Sequence, residues 1–215
     1  MISNVKTISL NGIDGNLVEV QTDIAGGLPN FEIVGLPDTS VKESKERIRI
    51  AIKNSEIEFP SRRIIINLAP ASTRKEGTSY DLPIAVGVLI ALNEIQNYNL
   101  ENTIFIGELS LDGKINRING VLPMCIEAFN LGIKRVVLPK ANAVEAAIIE
   151  ELEIVGVDNL KELIQYLNNT IEIPKIKIDI LKQFNKREKR DIDFSEIRGQ
   201  ENVKRALEIS AAGRS

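Results

Sequence analysis

Hydrophobic and polar residues alternate near the start of the chain, over residues 5–10 and again over residues 17–24. Residues 11–15, NGIDG, supply turn-forming residues between the two runs, so the pattern predicts a β-hairpin. A second turn at residues 26–30, GGLPN, precedes an apolar segment at residues 31–35 that predicts a third strand. The chain is therefore predicted to begin with a β-meander.

After Asp38, apolar residues recur at helical spacing and predict a helix of about four turns that ends near Asn54. Two acidic residues, Glu43 and Glu46, interrupt the positive charge on its polar side, which favours a solvated face over a nucleic-acid contact. The basic residues on that side are Lys42, Lys45, Arg47, Arg49 and Lys53.

A charged turn, residues 74–85, lies between two strongly apolar runs. The run before it, residues 64–70, follows Arg62 and Arg63 and includes a predicted buried strand at residues 64–68, whereas residues 84–92 belong to an apolar helix. A turn from strand to helix presents backbone N–H groups and a helix N-terminus, and folds commonly place binding or chemistry there. This turn is therefore the first candidate site.

The helix after this turn is predicted over residues 81–95. Pro83 has no backbone N–H and must lie in the first helical turn. The candidates for the N-cap position are therefore Ser79, Tyr80 and Asp81.

The second half of the chain alternates predicted strands and helices. A strand at residues 103–111, a turn at Asp112 and Gly113 and a return strand at residues 114–118 come first. The later elements are a helix at 120–130 closed by Gly132, a strand at 135–139, a helix at 141–150, a strand at 153–157 and a helix at 160–167. Together with the antiparallel start, this order predicts an α/β two-layer (α+β) domain with a mixed β-sheet.

Residues 1–169 are predicted to form this domain. In residues 170–193, isoleucines alternate around Pro174 and a charged run follows, a pattern typical of an interdomain linker. Residues 194–215 carry a new helix signal and are expected to be the truncated start of a second domain. The apolar face of that helix consists of Val203, Leu207 and Ala211.

Composition excludes several classes of protein. A net charge of -3 over 215 residues gives no overall attraction to nucleic acid or to a membrane, so any such contact must come from a local patch. No apolar run reaches the roughly 18 residues of a membrane span, and the first residues lack the layout of a signal peptide. We therefore expect a cytoplasmic protein without membrane contact.

The chain has no histidine and one cysteine, Cys125. These counts exclude Ser-His-Asp and Cys-His catalytic groups, imidazole metal sites, thiolate zinc clusters and an internal disulfide. Cys125 lies in an apolar pattern and is predicted to be buried and structural. No metal site is expected, and any catalysis would have to use Ser, Thr, Lys, Asp or Glu.

Several stretches together resemble the Mg-chelatase-like competence ATPases, the ComM/YifB family of AAA+ proteins. The resemblance is carried by residues 27–38, 41–47, 66–71, 75–85 and 107–113. Residues 193–208 are similar to that family's entry into its AAA+ module. The resemblance implies a first domain like the proteolytic domain of Lon, with a ribosomal-protein domain 2-like fold that also occurs in the carboxy-terminal domain of RadA.

Within this resemblance, residues 75–79 are similar to the Lon segment that holds the nucleophilic serine, with Ser79 in that position. Residues 107–109 and 132–139 are similar to the segments that flank Lon's catalytic lysine, and the position of that lysine carries Met124. A serine hydroxyl needs a base to take its proton, and a thioether cannot do so. The resemblance therefore implies a pseudo-protease, in which Ser79 is a vestigial nucleophile position.

Two alternatives for Ser79 remain open. A turn or helix-cap role is favoured. A serine peptidase is the remote alternative, because Lys75 or another lysine would have to replace the lost base.

No G-x-x-x-x-G-K-[ST] phosphate-binding motif occurs in the 215 residues. The resemblance implies that ATP and Mg²⁺ bind to the full-length parent, with the motif beyond Ser215. No cofactor is expected in this chain.

The resemblance implies a non-catalytic domain of a hexameric AAA+ ATPase that acts on DNA, with a branch-migration or helicase role in competence, natural transformation and recombination. DNA binding depends mainly on phosphate contacts, so exposed basic residues beside the turn are the candidates. They are Arg62, Arg63, Arg74 and Lys75, for which surface ion pairing is the alternative.

The alternative function is a protein-interaction platform in a chelatase-type ATPase that remodels a partner protein. The acidic composition suits this function, as does the scarcity of aromatic residues that could stack on bases, such as Phe31, Phe59, Tyr80 and Phe105.

Overall fold

The computed structural model describes residues 2–96, 99–176 and 196–213. They belong to two compact units, Met1–Ile178 and Asp179–Ser215, and each is described by itself.

The first unit contains nine strands and five helices within the described residues. The strands are β1 (Ser3–Asn11), β2 (Asp14–Ala25), β3 (Asn30–Val34), β4 (Arg63–Ala69), β5 (Thr103–Phe105), β6 (Glu108–Leu109), β7 (Ile115–Asn116), β8 (Arg135–Pro139) and β9 (Glu153–Val157). The helices are α1 (Thr39–Asn54), α2 (Asp81–Ala91), α3 (Val121–Asn130), α4 (Ala143–Ala146) and α5 (Leu160–Leu167), with a 3₁₀ turn (Lys140–Asn142) before α4.

Seven strands form one sheet in the order β3-β4-β2-β1-β5-β8-β9. The pairs β1–β2 and β2–β4 are antiparallel, and the other four pairs are parallel, so the predicted mixed sheet is confirmed. The hairpin is also confirmed, with Asn11 opposite Asp14. The predicted meander is wrong, because β3 pairs with β4 in parallel and α1 makes the crossover between them.

Apolar side chains cover both faces of the sheet, because successive residues of a strand point to opposite sides. Val5 of β1 belongs to the cluster on the first face, which packs against α1, α2 and α5. Ile8 of the same strand belongs to the cluster on the second face, which packs against α3 and α4. The predicted α/β fold is confirmed, and α3 and α4 add a helical layer that the sequence did not reveal.

The predicted strand at 103–111 is divided in two. The break lies at Gly107, whose N–H donates to the Ser79 carbonyl at 3.0 Å and whose carbonyl accepts from the Leu82 N–H at 3.0 Å. Since these groups bond to the candidate turn, they are not free for a strand neighbour. The chain then continues as β6, which pairs only with β7 in a separate two-stranded sheet.

Two helices are shorter than predicted. The predicted helix at 81–95 ends at Ala91, and Asn93 has a φ of 65°, which breaks the helical path. The predicted helix at 141–150 consists of the 3₁₀ turn and the single turn of α4.

The proposed domain limits of 1–169, 170–193 and 194–215 stay a prediction. Within 170–193, Ile173 packs against the cluster on the first face and Ile176 against the cluster on the second. Residues 177–195, which include the predicted charged run, lie outside the described residues.

The second unit contains the predicted helix, α6 (Glu201–Ala212). Its apolar residues Val203, Leu207 and Ile209 are exposed. Among the helices in the described ranges, none has the length and apolar character to cross a bilayer.

Candidate functional site

The turn between β4 and α2 is hydrogen-bonded to the chain that leads into α1. The N–H of Lys75 donates to the carbonyl of Leu36 at 3.1 Å, and the N–H of Asp38 donates to the carbonyl of Lys75 at 2.9 Å. The Asp38 carboxylate accepts from the N–H of Val41 at 2.7 Å, which caps α1, and from the N–H of Gly77 at 3.4 Å. Asp38 therefore fixes both the start of α1 and the turn.

The side chain of Lys75 points into the protein. The residue is 0% exposed, and its Nζ donates to the carbonyl oxygens of Pro70 and, at 2.8 Å, Thr73. Burial lowers the pKa of Lys75 because the charged ammonium loses its hydration. The placement of Lys75 in a DNA contact beside the turn is therefore corrected: its ammonium serves the turn's own backbone and is not accessible to a phosphate.

We expect the stability of the protein to depend on pH through Lys75. The folded state holds its pKa below the ordinary 10.5, so in the interval just below pH 10.5 the unfolded state binds more protons. The contribution of Lys75 to the free energy of unfolding therefore rises with pH across that interval. Urea denaturation measures the free energy of unfolding of wild type and of Lys75→Met at pH 10.5 and at a pH about two units lower. The difference between the two proteins should change between these two pH values.

Lys134 is exposed and provides the matched control. The free energy of unfolding of Lys134→Met, plotted against pH, should run parallel to that of wild type. Parallel curves for wild type and Lys75→Met would contradict a buried ammonium.

Ser79 is a turn residue and not a helix cap. The N-cap position of α2 is Tyr80, which makes no side-chain cap bond. Ser79 is 8% exposed, and its Oγ makes no hydrogen bond with any residue that the structure describes. Its carbonyl instead receives the N–H of Gly107. The hydroxyl is therefore without a base.

Met124 lies on α3 and is packed into the cluster on the second face, at 5% exposure. Cys125 next to it belongs to the same cluster, so its predicted burial is confirmed. Burial raises the pKa of the Cys125 thiol to about 12, which leaves it protonated and unreactive at neutral pH.

An ion pair that the sequence analysis missed lies under the turn. The buried Asp81 carboxylate accepts from Nε and Nη2 of Arg47 at 2.8 and 3.0 Å and from the N–H of Leu109 at 3.2 Å. Arg47 Nη2 also donates to the Ser40 carbonyl at 3.2 Å. Arg47 therefore does not belong to the solvated basic face predicted for α1, because its head group joins α1 to α2.

The two groups of this pair act on each other's protonation. The hydrogen bond to Asp81 raises the pKa of Arg47. The pKa of Asp81 is raised above its ordinary value because of burial, and the bonds from Arg47 and the Leu109 N–H offset part of this rise. Because three N–H donors converge on the carboxylate, we assign Asp81 as ionised at neutral pH.

A second contact fixes the other side of the turn. The Thr78 hydroxyl donates to the carboxylate of Glu108 on β6. Together with Asp38 and Asp81, Glu108 ties the turn to α1, α2 and β6, so its geometry is held by contacts that do not involve the Ser79 hydroxyl.

The turn does not fit the phosphates of ATP. A phosphate cradle needs free N–H groups and a cation that faces the ligand. Here the N–H of Gly77 bonds to Asp38, Lys75 points inward, and Asp81 places a negative charge at the start of α2. The turn therefore lacks the free N–H groups and the outward-facing cation that a nucleotide phosphate would need.

The structure does not bring the four predicted DNA-contact residues together. Arg62 and Arg63 lie at the start of β4 and Arg74 lies beyond its end, and a seven-residue strand is about 20 Å long. Arg63 pairs with Glu32 at 3.8 Å and Arg74 with Glu76 at 3.0 Å, each as an exposed pair. Exposed ion pairs are weak, so both arginines can exchange a carboxylate for a phosphate, and DNA contact stays a prediction for the three arginines.

The chain is similar in sequence to several known proteins. A family model described as subunit ChlI of Mg-chelatase matches residues 20–142. The competence protein ComM of Haemophilus influenzae is 35% identical over 204 residues, which cover 94% of this chain and 40% of ComM. The protein YifB of Salmonella typhimurium is 37% identical over 211 residues, which cover 97% of this chain and 40% of YifB.

A Lon protease is a more distant relative. The archaeal Lon protease of Pyrococcus abyssi is 30% identical over 132 residues, which cover 60% of this chain and 12% of that protein. The chain spans about 40% of the length of ComM and YifB. From the ChlI match and these relatives, the chain belongs to the ComM/YifB family of Mg-chelatase-like proteins.

Proposed function

We propose that this chain is a non-catalytic, Lon-like domain from the amino-terminal part of a hexameric, cytoplasmic AAA+ ATPase that acts on DNA. One observation carries the non-catalytic part: the Lys75 ammonium bonds to two backbone carbonyls, while the Ser79 hydroxyl has no partner among the described residues. Without a base the hydroxyl is a poor nucleophile.

The DNA role is supported by the similarity to the competence protein ComM. On this proposal the parent ring works in branch migration during natural transformation and recombination. Its ATP and Mg²⁺ would be held by residues outside this chain, and ATP hydrolysis would drive movement along DNA. The described domain would cap the ring and guide DNA by means of its exposed arginines.

A second candidate function is a protein-interaction platform, as in a chelatase-type ATPase that remodels a partner protein. The observation that favours it is an apolar patch at the carboxyl end of α3, where Ile126 and Phe129 on the helix and Leu131 just after it are each 45–47% exposed. Exposed apolar side chains close together are typical of protein contacts. The remote peptidase alternative would require a serine-directed phosphonate to label Ser79.

The test is binding of a three-way DNA junction by the full-length parent and by this chain across a salt series. We expect both to bind at low salt, with affinity falling as salt rises because phosphate contacts release counterions. In this chain, Arg63→Gln/Arg74→Gln should reduce the slope of log affinity against log salt by about 1.8, or about 0.9 for each lost contact.

The matched control removes the same charge elsewhere, as Lys114→Gln/Lys134→Gln, and should leave the slope unchanged. If neither protein binds at low salt, the DNA proposal fails. If the parent binds and this chain does not, the domain is structural and the contact lies in the ATPase ring.

A further inference from the structure

A cleft lies between α1 and the loops that lead into β3 and β4. It consists of two adjoining cavities of about 280 and 350 Å³, which share Asn30, Phe31 and Lys45 as lining residues. Arg49, Lys53 and Arg62 are among the lining residues of one cavity, and Lys42 lines the other. We name these two cavities together the α1 cleft.

Positive charge along the α1 cleft is regularly spaced. Lys45, Arg49 and Lys53 are four residues apart on α1, so consecutive cations are about 6 Å apart along the helix axis. Arg62 adds a cation from the opposite wall. Glu46 lines one of the two cavities and Glu32 lines the other, against the five cations Lys42, Lys45, Arg49, Lys53 and Arg62, so the cleft is positive overall.

These cations are not neutralised by the protein. Within the part of the chain that the structure describes, no ion pair or side-chain hydrogen bond engages Lys42, Lys45, Arg49, Lys53 or Arg62. Several exposed cations elsewhere have carboxylate partners within 4.0 Å. Examples are Arg74, Lys114, Lys140 and Lys161. An external anion would therefore not have to displace a paired carboxylate from these five cations of the α1 cleft.

Two aromatic rings lie in the same cleft. Phe31 and Phe59 have ring centroids 5.9 Å apart and planes tilted by 31°, and both side chains are only partly buried. Aromatic faces beside a row of cations suit a strand whose bases are unpaired, because the bases stack while the phosphates meet the cations. A duplex keeps its base faces covered, and an acidic peptide would use the cations but not the rings.

In place of the merely solvated face that the sequence favoured for α1, we propose that the α1 cleft binds single-stranded DNA. The phosphates contact Lys45, Arg49 and Lys53, Arg62 closes the opposite side, and a base stacks on Phe59. The choice of DNA as the strand rests on the proposed function, whereas the cleft itself is distinct from the Arg63 and Arg74 positions.

Fluorescence anisotropy of a labelled oligothymidylate with the 215-residue chain tests this inference. Arg49→Gln/Lys53→Gln should weaken binding at low salt at least tenfold and reduce the salt slope by about 1.4, since a single strand loses about 0.7 for each phosphate contact. Phe59→Leu keeps an apolar side chain but removes the ring, and should weaken binding about fivefold with the slope unchanged. The control Lys114→Gln/Lys134→Gln should bind as wild type does.

Binding of other ligands distinguishes single-stranded DNA from the other possible ligands of the α1 cleft. Equal affinity for a duplex of the same length, tighter binding of oligouridylate, or tighter binding of polyglutamate would each overturn the proposal. Equal weakening by the control double variant would also overturn it. Circular dichroism spectra that match wild type ensure that lost binding reflects the cleft and not unfolding.

The same variants separate this inference from the proposed function. If the parent binds a DNA junction and Arg49→Gln/Lys53→Gln leaves oligothymidylate binding of this chain unchanged, the cleft proposal fails alone. If this chain binds oligothymidylate through the cleft and the parent does not bind a junction, the cleft proposal stands and the function proposal fails.

Discussion

An Arg47→Met substitution is expected to lower the free energy of unfolding by about 3 kcal/mol. Asp81 is 0% exposed, and Arg47 supplies two of the three N–H donors on its carboxylate. Removing the guanidinium leaves a buried carboxylate with the Leu109 N–H, which cannot compensate for the lost hydration. Urea denaturation followed by circular dichroism at neutral pH measures the loss.

Arg49→Met is the matched control for this pair. Arg49 lies two residues further along α1, is exposed and has no ion pair in the described ranges, so its replacement should change stability by less than about 0.5 kcal/mol. The double variant Arg47→Met/Asp81→Leu should recover most of the loss, because no buried charge remains. Equal losses for Arg47→Met and Arg49→Met would contradict the assigned role of the pair.

Gly35→Ala is expected to destabilise the protein by about 3 kcal/mol or more, by the combined cost of strain and overpacking. Gly35 follows β3 with a φ of 101°, which side chains rarely adopt. An added Cβ would also overlap the carbonyl oxygen of Leu68 and lie 2.9 Å from its carbonyl carbon. Because these atoms are backbone, no side-chain rotation relieves the overlap, and β3 would have to move away from β4.

Gly77→Ala separates the two contributions. Gly77 has a similar φ of 91°, but nothing lies within 4 Å of an added Cβ. This variant should lose about 1–2 kcal/mol, from backbone strain alone. Thermal unfolding of the two variants compares them directly, and equal losses would show that the approach to Leu68 does not matter.

The sequence predicted those elements that short-range patterns determine. Alternation and the NGIDG turn predicted β1 and β2, and helical spacing after Asp38 predicted the end of α1 at Asn54. Pairing between distant strands leaves no such pattern. Nothing near β3 reveals that it pairs with β4, and nothing near Gly107 reveals that its backbone bonds to Ser79 and Leu82.

The candidate site was partly predictable for the same reason. The resemblance to Lon placed Ser79 at the nucleophile position and Met124 at the lysine position, so the absence of a catalytic base could be stated as a prediction. The direction of Lys75 could not, since its partners are backbone carbonyls that any sequence supplies. Arg47 and Asp81 are 34 residues apart in the sequence. A helical pattern places an arginine on the polar side of α1 whether or not a carboxylate lies next to it, so this ion pair could not be predicted.

The central strand β1 has a consequence for how the chain folds. It pairs with β2 through a short hairpin on one side and with β5 on the other, where Lys6 meets Ile104. One half of the sheet, β3-β4-β2, is therefore joined to the other half, β5-β8-β9, only through this strand. Since the β1–β5 contact requires residues far apart in sequence to meet, we expect it to form late and to limit the folding rate. The nine-residue strand β1 thus connects the two halves of the sheet. A protein that lacked β1 would expose the edges of β2 and β5, and exposed strand edges are prone to aggregation.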